Sequence, residues 1–338
     1  GPEPHLKGRR VYQPRGKVLG GSSTINGMIY IRGNALDYEK WASFPGLDAW
    51  SYAHVLPYFK RIENRLVGGD DYHGDDGPLY LTTPECTNPL YHTFFAAAEQ
   101  AGYPLTDDVN GYQQEGFGKF DRTTWRGRRW NAARAYLHPV MKRTNLTVRC
   151  NVLVRRIVFE GTRAVGVEIG HGRRRSIIRG GEIICCGGAI NSPQLLMLSG
   201  VGPKDQLEPL GIPVVVDAPG VGQNMRDHPL TWVTWRTREG FELDGVAPRM
   251  QVALRYTAEG SGLRNDMKIS MQSFATGRVN QGGNRMEPVG IRMTVGIQLA
   301  EGAGELKLTT TDPTVQPSLE YKYLENESDR ERLREGIR

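Results

Sequence analysis

The sequence predicts a mixed fold of the α/β (α+β) class, divided into two domains. Its 338 residues suit two domains, since a single domain usually holds about 100–200 residues. Residues 145–187 contain short runs rich in Val and Ile, separated by Gly and Arg, which is typical of a meander of strands. After Pro229 the pattern changes to longer segments that are typical of antiparallel strands. We therefore place a domain boundary near residue 230.

The part of the chain before residue 145 is mainly helical in pattern. Ser51 is a suitable N-cap, and apolar residues follow it at helical spacing, which predicts a helix over 51–65. The other elements expected here are helices over 93–101 and 131–143 and a short strand over 79–82.

The part after the meander alternates between buried strands and short helices. An apolar strand is expected over 183–186, followed by a helix that Ser192 caps, that Pro193 opens and that ends at Gly200. The remaining predicted elements are a helix over 203–210 and strands over 214–216, 231–238, 267–274, 290–299 and 305–310.

Composition and charge exclude several classes of protein. Hydrophobic residues make up 38% and charged residues 24% of the chain, which excludes a fibrous or disordered chain, and no apolar run is long enough to span a membrane. The net charge is +6, but no helix carries a basic stripe, so no nucleic-acid partner is predicted. The four cysteines show no C-x-x-C spacing, which favours a reducing compartment. We expect a cytoplasmic protein, with peripheral membrane association left open.

The sharpest local motif is a pair of glycines followed by a pair of serines, Gly20 to Ser23. Glycines let a backbone approach a ligand closely, and free N–H groups and hydroxyls attract anions. Such a stretch can bind a phosphate or dinucleotide, or it can be an ordinary loop.

A second motif joins the predicted strand 183–186 to a glycine pair, Gly187 and Gly188, and then to a helix. This strand–turn–helix order recurs where nucleotides bind. The alternative is a capped helix that packs on a sheet.

The histidines and serines give no signal for other enzyme classes. No two histidines have the H-E-x-x-H spacing of zinc enzymes, and no G-x-S-x-G elbow of a serine hydrolase occurs. We interpret His73 as a loop residue and His138 as a helix-packing residue. No metal site and no catalytic residue is predicted within the chain.

Together the motifs resemble those of the glucose–methanol–choline family of flavin oxidoreductases. Residues 16–26 resemble the family's Gly-Lys-x-Leu-Gly-Gly-Ser-Ser-x-x-Asn pattern, and residues 188–202 resemble its Gly-Ala-x-x-Ser-Pro-x-Leu-Leu-x-x-Ser-Gly-x-Gly pattern. Residues 220–229 resemble the segment that closes the flavin domain. The strings 30–38 and 50–52 are most similar to the choline dehydrogenase branch, and the resemblance extends over essentially the whole chain.

The resemblance implies two domains. An FAD/NAD(P)-binding Rossmann-like domain is expected over 1–85 and 130–229, and an antiparallel-sheet substrate-binding domain over 86–129 and 230–338. The flavin domain is expected to be incomplete, because no G-x-G here has the third glycine of the family's opening G-x-G-x-x-G turn. The family's catalytic His is expected beyond Arg338. From this we predict that the 338 residues alone bind no flavin tightly.

The resemblance also implies the cofactor and the residues that hold it. The residues expected to face the flavin or its pyrophosphate are Val18, Ser22, Asn26, Gly27, Met28 and Ile29. Val152 is expected to contact the adenine, and Gly187 to line the dinucleotide chain. Some family members attach FAD through a His at the position of Ile25, whose aliphatic side chain has no nucleophile, so we predict non-covalent FAD.

The implied reaction is hydride transfer from a small-molecule alcohol, choline-like or another primary alcohol, to the flavin. The electron acceptor, and so the choice between oxidase and dehydrogenase, stays open. Two alternatives remain: a non-catalytic remnant that binds no flavin, and a flavin-containing lyase of the same family.

Overall fold

The computed structural model describes residues 2–172, 174–243, 245, 248–276 and 288–338, and it contains both helices and strands. This confirms the predicted mixed fold class. The chain divides into two compact units. The first unit comprises 1–12, 147–227 and 300–329, and the second comprises 13–146, 228–299 and 330–338.

The first unit is built on the predicted meander. Strands Val154–Glu160, Arg163–His171 and Arg174–Arg179 pair antiparallel in chain order. The backbone N–H of Ile157 donates to Ser199 Oγ at 2.8 Å, which joins the first strand to the end of helix Gly188–Leu198. The other elements of the unit are helix Lys204–Leu207 and the strand pairs Val201–Gly202 with Val216–Asp217, Pro2–Glu3 with Arg9–Arg10, and Glu305–Lys307 with Ser318–Glu320.

The strand predicted over 183–186 does not form. The side chain of Ile184 is 75% exposed, and among the described residues no strand pairs with this segment, so nothing there satisfies a strand's backbone groups. The helix that follows begins at Gly188 rather than at Pro193. Ser192 therefore lies inside the helix, where its Oγ accepts from the N–H of Gly187 at 3.0 Å.

The second unit is built on a five-stranded antiparallel sheet. The strands lie in the order Leu230–Trp235, Pro288–Ile297, Met267–Thr276, Met250–Tyr256 and Gly116–Lys119. The sequence predicted the first three of these and missed the last two. Gly116–Lys119 has two glycines and no alternation, so it lacks the usual strand signal.

One face of this sheet is apolar and covered by helices. Its central side chains are Val252, Leu254, Met267, Val295 and Ile297, all buried. Helix Pro89–Gln100 places Phe95 edge-on against Phe117, with the ring centroids 4.6 Å apart. Near the end of helix Glu327–Ile337, a Cβ at Gly336 would lie 2.6 Å from Val295 Cγ1, so this helix packs closely on the sheet.

The opposite face, which we name the polar face, carries mostly polar side chains. Register and alternation place these residues on it: Trp232, Thr234, Arg255, Lys268, Ser270, Gln272, Arg292 and Thr294. Ala253 lies on the same face and is buried against Val109 and Phe120, and Ile29 and Ile31 pack on that cluster. The segment that follows the Gly-Gly-Ser-Ser motif therefore touches the polar face.

Short elements complete the second unit. Helix Tyr52–Ile62 matches the helix predicted over 51–65. The helix predicted over 131–143 is shorter and is not a regular α-helix: it consists of the π-helical segment Ala133–Leu137 and the 3₁₀ segment His138–Val140. The exposed His138 is therefore not the packing residue that we expected. The remaining elements are helix Ala35–Ala42 and the strand pairs Ile29–Tyr30 with Asp121–Arg122, Glu63–Arg65 with Leu79–Leu81, and Thr124–Trp125 with Arg128–Arg129.

The two units divide the chain differently from the predicted domains. One change of unit falls between Asp227 and His228, near the expected boundary at 230. Residues 13–85, however, lie in the unit of the large sheet, since strand Ile29–Tyr30 pairs with Asp121–Arg122. Residues 300–329 lie in the other unit, where the N–H of Tyr321 donates to Glu3 Oε1 at 3.0 Å. The assignment of cofactor and substrate to domains stays a prediction.

Within the described ranges, none of the helices has the length and apolar composition that crossing a bilayer requires.

Candidate functional site

Glycines fold the segment 16–29, which we name the glycine loop, tightly back on itself. A Cβ at Gly16 would lie 2.2 Å from the carbonyl oxygen of Gly21, so only glycine fits at that crossing. Gly20 and Gly21 have φ of 87° and 55°, in the left-handed region that glycine adopts without strain. The motif therefore forms a compact turn, with a 3₁₀ segment over Gly21–Thr24.

Hydroxyl groups fix the glycine loop from the inside. Ser22 Oγ accepts from the N–H of Gly16 at 3.2 Å, and Thr24 Oγ1 donates to the carbonyl oxygen of Leu19 at 3.0 Å. Ser23 Oγ donates to the carbonyl oxygen of Gly20 and accepts from the N–H of Ala132 at 3.0 Å. These hydroxyls bond to the protein's own backbone, so they shape the loop more than they offer groups to a ligand.

Asn26 closes the turn at the end of the glycine loop. Its Oδ1 accepts from the N–H of Met28 at 3.0 Å and from Arg129 Nη1 at 2.7 Å, and the same Nη1 donates to the carbonyl oxygen of Ser23 at 3.1 Å. Met28 is held at φ 62°, a conformation that is uncommon for a residue with a side chain. The Oδ1 of Asn26 is therefore engaged, while its Nδ2 has no hydrogen-bond partner among the described residues and lies on an exposed side chain.

The far end of the glycine loop is tied to neighbouring strands. Arg122 Nη2 donates to the carbonyl oxygen of Gly27 at 3.2 Å, and the N–H of Thr123 donates to the carbonyl oxygen of Met28 at 2.9 Å. Ile29 then enters the strand pair and is half-buried against Ala253 and its neighbours.

The outer surface of the glycine loop is apolar. Val18, Leu19 and Ile25 are 56%, 41% and 48% exposed, although burying such side chains is normally favourable. Gly27 and Asn26 are exposed beside them. An apolar surface with one free amide N–H₂ group suits a flat ring with polar edges.

The structure brings six of the eight predicted cofactor residues into the glycine loop: Val18, Ser22, Asn26, Gly27, Met28 and Ile29. Val152 and Gly187 belong to the other compact unit. Val152 is half-buried and precedes strand Val154–Glu160 rather than lying in it. Gly187 is exposed at the turn before helix Gly188–Leu198, and a Cβ there would lie 3.1 Å from the N of Ser192.

Sequence reasoning missed a buried cluster of charges around His73, which we name the histidine network. His73 Nδ1 lies 2.9 Å from Glu63 Oε2, and its Nε2 lies 2.7 Å from Asp108 Oδ2. Glu63 Oε1 accepts from the hydroxyl of Tyr30 and from both Nε and Nη2 of Arg32. These residues are far apart in sequence, and no local motif joins them.

The histidine network favours a charged imidazolium. Burial alone lowers the pKa of His73, but its hydrogen bonds to Asp108 and Glu63 outweigh burial and raise the pKa to about 9. Asp70, His73 and Asp108 are close enough to hold a metal ion. Both ring nitrogens already face carboxylates, however, and an imidazolium has no lone pair for a metal. The network is therefore better suited to holding the fold.

Comparison with known sequences gives two results. Residues 3–230 match the family model described as GMC oxidoreductase. The chain is similar to the oxygen-dependent choline dehydrogenases of Chromohalobacter salexigens and Pseudomonas fluorescens, with 42% identity over 360 and 362 residues. These alignments cover 100% of this chain and 64% of each relative. The chain thus spans somewhat less than two thirds of the length of these relatives.

Comparison with solved structures gives the same fold. The pyridoxine 4-oxidase from Mesorbium loti superposes with a TM-score of 0.87 at 27% identity, over 99% of this chain and 67% of that chain. A formate oxidase superposes with a TM-score of 0.85 at 21% identity, over 97% of this chain and 67% of that chain. The second likeness shows the fold alone.

Proposed function

Because the chain belongs to the GMC oxidoreductase family, we propose that the protein is an FAD-dependent oxidoreductase that acts on the CH–OH group of a small-molecule alcohol. The observation that supports this proposal best is the glycine loop. It combines a fixed backbone, exposed apolar side chains and a free amide group at the positions where the family motif lies. These features fit the ring system of a flavin.

Bound FAD would take the hydride from the carbinol carbon while a base takes the hydroxyl proton, which converts the alcohol to a carbonyl compound. The residues of this chain bind the flavin and orient it. Val18 and Ile25 offer apolar surface, Asn26 Nδ2 offers a hydrogen bond, and Arg129 keeps the side chain of Asn26 in place. We assign the proton acceptor to no residue of this chain, since His73 is enclosed by carboxylates.

We further propose that Ser22, Gly27, Met28 and Ile29 also face the flavin or its pyrophosphate. In the same proposal, Val152 contacts the adenine and Gly187 lines the dinucleotide chain. FAD is held without a covalent bond, because Ile25 has no nucleophilic atom. As electron acceptor we propose dioxygen, which the words oxygen-dependent in the relatives' name support. The four cysteines are all free thiols, which supports a cytoplasmic location.

The proposal is tested by FAD titration of the full-length protein, followed by anaerobic addition of primary alcohols including choline. We expect saturable quenching of flavin fluorescence and then loss of flavin absorbance with at least one alcohol. Return of the absorbance on admission of air identifies dioxygen as the acceptor. Absence of saturable FAD binding, or a bound flavin that no alcohol reduces, would contradict the proposal.

A further inference from the structure

The eight residues that define the polar face of the five-stranded sheet carry positive charge only. Across three neighbouring strands, Gln272, Arg292 and Thr234 form one row of aligned residues, and Ser270, Thr294 and Trp232 form the next. Arg255 and Lys268 are aligned in a third row. The eight residues that define this face thus include three cations and no carboxylate.

Arg292 is held in place without an acidic partner. Its Nε donates to Thr234 Oγ1 at 3.0 Å, and its guanidinium lies over the ring of Trp232, 5.5 Å from the centroid. Among the residues that the structure describes, no carboxylate forms an ion pair with Arg292. Burial, together with the nearby charge of Arg292, lowers the pKa of Arg249, so two guanidinium groups act on the same region.

The other end of the polar face carries the two remaining cations, Lys268 and Arg255. Lys268 is half-buried and forms no ion pair within the described part of the chain, and burial together with the adjacent Arg255 lowers its pKa. Arg255 is 5% exposed, and its Nη1 donates to the carbonyl oxygen of Val109 at 3.2 Å. Burial lowers the pKa of Arg255 to about 10, although the charges of Asp37 and Glu115 act in the opposite direction. Lys268 and Arg292 thus remain without an acidic partner in the described part of the chain, and an anion would offset the cost of such partly buried cations.

Gln272 adds an unused acceptor beside Arg292. Its Nε2 donates to Thr294 Oγ1 at 3.3 Å. Its Oε1 is buried and has no hydrogen-bond partner within the described ranges. Buried polar atoms normally have a partner, so this oxygen indicates a missing donor such as a hydroxyl or an ordered water.

We propose that the polar face is the subsite for the non-reacting end of the substrate, and that Arg292 selects an alcohol whose other end is a carboxylate. This inference rests on the proposed function and narrows it. A guanidinium forms two parallel hydrogen bonds to a carboxylate, whereas a quaternary ammonium group would be repelled by the like charge of Arg292. Choline, which the relatives' name gives as their substrate, is therefore disfavoured for this protein.

The test compares three probes of similar length by calorimetric titration of the full-length protein: 4-hydroxybutyrate, butan-1-ol and choline. We expect 4-hydroxybutyrate to bind tightest, and Arg292→Gln to weaken its binding about 10- to 100-fold, the range for losing a hydrogen bond to a charged group. Arg163→Gln, which neutralises an exposed arginine of the other unit, is the matched control and is expected to leave all three affinities unchanged.

A second variant keeps the test decisive if Arg292→Gln misfolds. Gln272→Glu places a carboxylate beside Arg292. We expect this variant to bind 4-hydroxybutyrate more weakly and choline more tightly than the unmodified protein does. Choline binding as tightly as 4-hydroxybutyrate, or no measurable 4-hydroxybutyrate binding, in the unmodified protein overturns the inference. Flavin content, measured on the same samples, tests the proposed function separately. Flavin-free protein that still prefers 4-hydroxybutyrate would contradict the proposed function alone.

Discussion

The histidine network and the glycine loop lie in the same unit and are both rich in hydrogen bonds, but they use those bonds differently. In the network, buried charges face one another, and both oxygens of Glu63 and both ring nitrogens of His73 have partners. In the loop, the bonds hold an exposed backbone in a fixed shape and leave Asn26 Nδ2 and several apolar side chains at the surface.

This difference separates residues that stabilise the fold from residues that are available to a ligand. A change in the histidine network leaves a buried charge without its partner, so its cost falls on folding. A change on the outer surface of the glycine loop removes a group from a surface that is already hydrated, so its cost falls on binding. The following variants test this distinction, in order of decreasing expected effect.

The largest expected effect comes from His73→Ala. The substitution leaves the buried Glu63 and the half-buried Asp108 without their shared cation, so we expect the free energy of unfolding to fall by about 3–5 kcal/mol. Urea denaturation measures the change. His92→Ala removes an exposed histidine and is expected to change stability by less than about 0.5 kcal/mol. Equal stability of the two variants would show that the histidine network does not stabilise the fold.

The pH dependence of stability tests the charge state of the histidine network. The pKa of His73 is raised from 6.5 to about 9, so its contribution is complete below pH 6.5 and is lost as the pH rises through 9. At 1.36 kcal/mol per pKa unit, this contribution is about 3 kcal/mol. We expect the urea midpoint of the unmodified protein to decline as the pH rises from 6 to 10, a range that brackets the ordinary and the raised pKa of His73. The decline should be much weaker in a more conservative variant, His73→Gln. Parallel profiles would show that His73 is not protonated in the folded protein.

The glycine loop is tested by Asn26→Ala. Loss of the amide removes a hydrogen-bond donor to the flavin and the acceptor for Arg129, so we expect FAD binding to weaken by about 1–3 kcal/mol, or roughly 5- to 150-fold. Asn326→Ala is a close control, because Asn326 Oδ1 also accepts from the N–H two residues later, at 2.9 Å. Equal FAD affinity of the two variants, measured by fluorescence titration, would mean that the flavin does not lie against residues 20–29.

The smallest expected effect concerns Ile25, where we expect no covalent bond at all. Acid precipitation of the FAD-loaded protein is expected to release the flavin into the supernatant. Flavin that remains with the polypeptide would show attachment through a residue other than Ile25, and peptide mapping of the yellow fragment would identify it.

The candidate site was predictable from the sequence where its residues are consecutive. Gly20 to Asn26 form one motif, and the structure folds them into one loop with the crossing at Gly16 that only glycine allows. The histidine network was not predictable, since Glu63, His73 and Asp108 meet only through tertiary contacts. The charge of the polar face was equally hidden, because it depends on the register between strands and not on any single segment.

The fold shows the same division between local and non-local signals. Strands rich in β-branched residues, such as Pro288–Ile297, were predicted, whereas Gly116–Lys119 becomes a strand only because Met250–Tyr256 offers it an edge. The segment 183–186 shows the opposite case. It has a strand-like sequence, but without a neighbouring strand in the described part of its unit it stays irregular. The residue pattern of a segment predicts its tendency to form a strand, and pairing with a neighbouring strand decides whether the strand forms.

The five-stranded sheet also has a consequence for folding during synthesis. Its edge strand Gly116–Lys119 is separated in sequence from its partner Met250–Tyr256 by the whole of residues 147–227, which belong to the other unit. On the ribosome, the local meander of residues 154–179 can pair as soon as it emerges. Strand Gly116–Lys119 must wait until its partner has been synthesised, and such long-range pairing is slow. The glycine loop precedes this strand, and its contact with Ala253 is established only at that late stage.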